Sequence, residues 1–162
     1  MPSKRFMILV ATCFATAGFG VLAGQQSSAP TAQKAPPADL KATIPAFHAE
    51  PPSGPLPATL DPKEFHDVLT QNAYRIASDP KLKRILYQEP CYCGCDRNNG
   101  HKSLLDCYVD HHAAFCGTCK KEMLYAYEQL QKGKSAAQIR QGIIDGKWSS
   151  VDLSAYGKPD SQ

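Results

Sequence analysis

Six cysteines crowd into 29 residues of this chain: Cys91, Cys93, Cys95, Cys107, Cys116 and Cys119. In an extended segment alternate residues share a side, so the Cys-x-Cys-x-Cys run at 91–95 would project three sulfurs together, with Tyr92 and Gly94 facing away. Cys116-Gly117-Thr118-Cys119 brings two more together on a turn or a first helical turn. His101 follows Gly100 in a polar loop, six residues from both Cys95 and Cys107. It is the nitrogen donor of choice. Clustered thiolates with an imidazole make a soft ligand set, suited to a thiophilic ion. A helix across His112 to Met123 would place His112, Cys116, Cys119 and Met123 on one stripe, and Cys107 and His111 lie one turn apart. His111, His112 and Met123 are therefore secondary candidates, Met123 also reading as plain core beside Leu124 and Tyr127. Thiolate and thioether donors favour monovalent copper, because surplus sulfurs allow transfer by ligand exchange. Zinc would select four ligands in a closed tetrahedron and act structurally; a toxic heavy metal is a further possible cargo.

Two other chemistries are open to the same sulfurs. Export would permit disulfides, and six cysteines allow 15 pairings. Crowding three bridges onto alternate residues opposes that reading. Alternatively, Cys116 and Cys119 form a redox pair, the first thiol acidified by a helix N-terminus with Lys120 and Lys121 nearby. No thioredoxin-like βαβ pattern surrounds the pair. Haem is not expected, since Lys120 stands where Cys-x-x-Cys-His attachment needs histidine. No Gly-rich phosphate loop, Ser-His-Asp order or paired carboxylate site is present, so catalysis is not expected.

The elements that must position these residues read as helices. Asp61-Pro62-Lys63-Glu64 is a capping box with proline at the first helical position, and Phe65, Val68, Leu69, Ala73 and Ile76 continue it to about residue 77. Asp79-Pro80 starts a second helix that stops before Pro90. Lys120 to Leu130 forms a third, ending at Gly133, and Ser135 to Gln138 caps a fourth with Ile139, Ile143 and Ile144 apolar. Period-two alternation is nowhere sustained. The expectation is an all-α fold: a small bundle of four to five short helices around a Cys-rich loop, over residues 59–157, with a tail at 158–162. So small a core needs a staple, either disulfides or a metal.

The domain follows a leader and a spacer. Lys4 and Arg5, an apolar stretch from Phe6 to Leu22, and Val21-Leu22-Ala23 read as a signal peptide over residues 1–23, cleaved after Ala23; a retained membrane anchor is the alternative. Residues 24–58 read as a disordered Pro-rich linker, nine prolines falling between Pro30 and Pro62. Ile44, Phe47 and Leu56 could dock as isolated anchors, and His48 reads as solvated. The 162-residue chain has a net charge of +3, which falls to +1 once Lys4 and Arg5 leave. That balance carries no electrostatic footprint for nucleic acid. The expected partners are a metal ion and a protein that donates or accepts metal or electrons.

Pro90-Cys91-Tyr92-Cys93-Gly94-Cys95, with Gly100-His101-Lys102-Ser103-Leu104, Cys107 and the pair Cys116 and Cys119, resembles the bacterial family named for its PCYCGC motif. The resemblance covers about Leu56 to Trp148 and implies an exported protein or lipoprotein, periplasmic or extracellular, without assigning a mechanism. A convincing lipobox around Cys13 is missing, which speaks against lipid anchoring. Cys-x-x-Cys followed by a helix and Gly-Lys-Ser is also similar to the thiol component of cytochrome c maturation, over some 30 residues; this supports the redox alternative.

Overall fold

Proline, aspartate and serine set the starts of the helices, and one long helix gathers them. The computed structural model describes residues 43–158; the signal peptide, the linker as far as residue 42 and residues 159–162 lie outside the described residues. Asp61 and Glu64 form the expected capping box, but it opens only a 3₁₀ turn, Pro62–Glu64. Phe65 then turns extended, and Asp67 starts α1 (Val68–Ala77) by accepting from the Thr70 amide. The single helix expected over 62–77 is thus two pieces, because Asp67 offers a second competent cap six residues on. Asp79 caps α2 (Pro80–Leu86) through the Lys81 and Leu82 amides. Three one-turn helices follow: α3 (Cys95–Asn98), α4 (Asp106–Val109) and α5 (His112–Phe115). The long α6 (Gly117–Gln131) and α7 (Ala136–Ile144), with its Ser135/Gln138 capping box, precede two 3₁₀ turns at Lys147–Ser150 and Leu153–Tyr156. Among the described residues there is no strand, so the domain is all-α. It has more and shorter helices than expected, because the cysteine-rich centre contributes three of its own.

Helix α6 is the spine, in contact with α1, α2, α5, α7 and the first of the two C-terminal turns. Its Met123 and Leu124 join Tyr74, Leu82, Leu86, Leu104, Leu105, Tyr108, Ile139 and Ile143 in a fully buried core. Fully burying one such side chain stabilises by about 1.5–3 kcal/mol, so this layer holds the helices, and Cys91, Cys95, Cys107 and Cys119 are buried in the same core. Lys120, expected to tune a thiol, is itself buried and ties α1 to α5: its Nζ donates to Thr70 Oγ1 at 2.7 Å and to the Ala114 carbonyl at 2.9 Å.

The proline-rich spacer is not free throughout. From residue 43 to 58 it has no helix or strand, yet it packs on the domain. Pro52 is buried and its carbonyl accepts from Arg84; the Pro57 carbonyl accepts from Lys83. Phe47 lies under the Arg140 guanidinium at 4.6 Å, while Leu56 packs against the core and Ile44 stays exposed. His48 is not simply solvated: it stacks on Tyr87 with ring centroids 3.9 Å apart. Cationic side chains on α2 and α7 satisfy carbonyls and a ring face that composition alone left unpartnered.

Glu89 is the anomaly of the core. It is fully buried, and neither carboxyl oxygen has a hydrogen-bond partner. Burial raises its pKa from 4.5 to about 8 despite the field of Arg140. The folded chain therefore keeps a proton that the unfolded chain releases, so this contribution to stability is whole below about pH 4.5 and is lost as pH rises through about 8. The Glu89 contribution is isolated by difference: in denaturation followed by circular dichroism, Glu89→Gln should gain stability relative to the parent chain as pH rises from 5 to 8. A difference between the two chains that does not change with pH would contradict the assignment.

Candidate metal centre

The site is a looped excursion clamped at its base. Leu104 N donates to the Glu89 carbonyl at 2.8 Å and Leu105 N to the Leu86 carbonyl at 3.2 Å, closing residues 90–103 onto the end of α2. Inside the loop the expected extended run does not form. Gly94 takes φ +83°, a left-handed conformation that glycine adopts without steric cost, and the chain enters α3 at Cys95. The three sulfurs of Cys91, Cys93 and Cys95 nevertheless lie within 4.8 Å of one another. A turn, not an alternating strand, brings them together. Glu122 on α6 secures it, its Oε1 accepting from the Tyr92 amide at 2.9 Å.

The second half also departs from the expected single helix. Cys116 is extended, at φ −117° and ψ 108°, and separates α5 from α6. His112 and the Cys116/Cys119 pair therefore do not share a stripe. The break folds α5 back so that His112 Nε2 lies 3.3 Å from Cys93 Sγ. Cys93, His112, Cys116 and Cys119 form a quartet whose donor atoms all fall within 4.8 Å. Cys95, His101 and Cys107 form a second group, with His101 Nδ1 3.3 Å and Cys95 Sγ 3.5 Å from Cys107 Sγ. Cys91 lies between them, 3.3 Å from Cys93 and 3.5 Å from Cys119. It also falls within 4.8 Å of Cys95 and of Cys107. His111 points elsewhere: it meets Glu64 at 3.5 Å and packs edge-on against Phe65. Met123 is fully buried in the core.

One residue contacts both histidines, the ring of His101 and the backbone of His112, and was not singled out from sequence. Asp110 Oδ2 lies 3.0 Å from His101 Nε2, and Oδ1 accepts from the His112 amide at 2.8 Å. Its carbonyl accepts from the buried Tyr74 hydroxyl at 2.6 Å. A carboxylate on the far nitrogen holds Nδ1 of His101 toward the sulfurs and fixes its tautomer, as outer partners of metal-binding histidines do. The available signal was a carboxylate directly before the His111-His112 pair.

Thiols this close share their protons unequally. Interaction with Cys107 is the largest influence on Cys91, Cys95 and Cys119, which are pushed up as donors, and on Cys93, which is held well down as an acceptor. Cys107 is itself held down to about 4, chiefly by Cys119 and Cys91. Burial opposes a charge on His101, but Cys107 and Asp110 together raise its pKa. Cys116, at the start of α6, is drawn toward its thiolate by Cys119, but Cys93 and burial outweigh that and raise its pKa. The six described cysteines are all free thiols. The cluster is a set of coupled donors that could hold a metal ion.

A helical domain built around such a sulfur-rich cluster defines a cysteine-rich α protein with a candidate metal site. The chain belongs to the family described as "protein of unknown function with PCYCGC motif", whose model matches residues 38–161 and so takes in every described helix as well as the hexapeptide. Neither a curated protein nor a solved structure matches the chain. Replacing Asp110 by Asn tests the outer support of the histidines: metal affinity should fall about 10- to 100-fold, as losses of such partners do, while thiol titration still finds every cysteine. An affinity equal to wild type in a competition with a chromophoric chelator would remove Asp110 from this role.

Proposed function

We propose that this protein is an exported binder of a thiophilic metal ion, monovalent copper in the first place, which it sequesters or hands on. Zinc or a toxic heavy metal is the competing cargo. The observation that carries the reading is the spacing of the donors. Sγ–Sγ separations of 3.3–3.6 Å and Sγ–N separations of 3.3 Å are far beyond the roughly 2.05 Å of a disulfide. They approach the roughly 3.5–3.8 Å edges of a polyhedron whose centre lies about 2.3 Å from sulfur and 2.0–2.1 Å from nitrogen. The donor chemistry agrees: thiolates and imidazoles suit copper and zinc and are poor ligands for calcium or magnesium.

The placement outside the cytoplasm rests on the leader, and handing on rests on the surplus of sulfurs over any single four-coordinate ion. Mature protein reduced and kept anaerobic should take up one or more copper(I) ions per chain, read by native mass spectrometry. Replacing Cys93 and Cys95 by Ser should abolish most of that uptake. A chain that takes up no copper or zinc, and instead shows a reversible two-electron couple with disulfide transfer to a test substrate, would replace this reading with the redox one.

A further inference from the structure

We infer that the centre comprises two ion sites of unequal access, an inner site closed by the motif loop and an outer site open to exchange. The inference rests on the metal-binding reading above and adds to it the number of ions and their division of labour. Six sulfurs and two imidazoles are twice the four donors that a closed tetrahedral ion needs. They divide by the proximity of their donor atoms. The outer set is the complete quartet of Cys93, His112, Cys116 and Cys119. The inner set is Cys95, His101 and Cys107, completed by Cys91, which lies within 4.8 Å of both Cys95 and Cys107. Each set is three sulfurs and one nitrogen, a donor composition known from closed structural sites.

The two sets differ in what they join and in what can reach them. All four inner ligands come from residues 91–107, so an ion there would close the loop upon itself. Their exposures are 2% for Cys91 and Cys95, 0% for Cys107 and 8% for His101. The outer ligands join that loop to α5 and α6, and three of them, Cys93, His112 and Cys116, are only half-buried. An incoming ligand can approach the outer set from solvent, whereas it reaches the inner one only by opening the loop. Cys91, 3.3 Å from Cys93 and 3.5 Å from Cys119, places a sulfur of the inner set against the outer one, so the two sites share a wall. The inner ion then acts as the staple that so small a core calls for, and the outer ion is the cargo.

The test uses the reduced mature chain and zinc(II) as the probe. Native mass spectrometry should find two ions at saturation. On addition of excess 4-(2-pyridylazo)resorcinol, release should be biphasic, one ion leaving about tenfold or more faster than the other. His112→Ala and Cys116→Ser should each remove the fast phase and leave one slowly released ion. His101→Ala should keep the fast phase and lose the slow one, with a lower unfolding midpoint. The kinetics of the unaltered chain decide the matter even if a variant does not fold. One ion at saturation, or two leaving in a single phase, overturns the division while leaving metal binding intact. No uptake of zinc or copper overturns the metal-binding reading with it.

Discussion

Thiolates held about 3.5 Å apart repel one another by about 5 kcal/mol per pair even at an effective dielectric of 20, and the whole structure answers to that repulsion. Cys91, Cys93, Cys95, Cys107 and Cys119 are in contact as neighbours, and all but Cys93 are buried. The neighbours respond unequally: Cys93 and Cys107 are shifted toward the thiolate, and Cys91, Cys95 and Cys119 toward the thiol. A metal ion removes the conflict by replacing the protons. The same crowding that is expensive for free thiolates is therefore what would favour a bound cation in a cluster that could hold a metal ion.

The fold supplies the rigidity that such a cluster needs. The loop is fastened at Glu89 and Leu86 by backbone bonds, to α6 through Glu122 and Tyr92, and to α1 through Tyr74 and Asp110. Fasteners on three helices hold donors that lie on short turns and would otherwise be free to spread. The cost is carried in buried carboxyls. Burial raises the pKa of Glu122, like that of Glu89, to about 8, Glu122 despite its contacts with Cys91 and the Tyr92 amide. In the spacer the same economy of small contacts recurs: arginine and lysine side chains of α2 and α7 draw an otherwise unstructured proline-rich segment onto the surface.

Helix starts at Asp79 and Ser135 were legible because their caps are local chemistry, complete within four residues. The boundary at Asp67 was obscured by the equally good box at Asp61, and only packing showed that the first box opens a single turn. The three one-turn helices had no periodic signal to read, since four residues span barely one turn of about 3.6 residues and cannot repeat a pattern. Asp110 was passed over because two of its three contacts, with His101 and Tyr74, lie 9 and 36 residues away, and only the His112 amide is local. His111 and His112 are indistinguishable as types; one meets Glu64 and the other Cys93 because His111 is the N-cap before α5 and His112 its first helical residue.

By itself the sequence determined the all-α class, the caps, the core-forming apolar residues and the concentration of soft donors between Cys91 and Cys119, all of which follow from residue type and near-neighbour spacing. Only the tertiary structure decided how those donors group. The left-handed Gly94 and the extended Cys116 replace an expected extended run and an expected single helix with turns. Those turns bring His112 to Cys93, across 19 residues, and Cys119 to Cys91, across 28. Ligand proximity depends on the path of the backbone between ligands, and that path is set by the clamps and the core on which the loop rests, none of which lies within the motif.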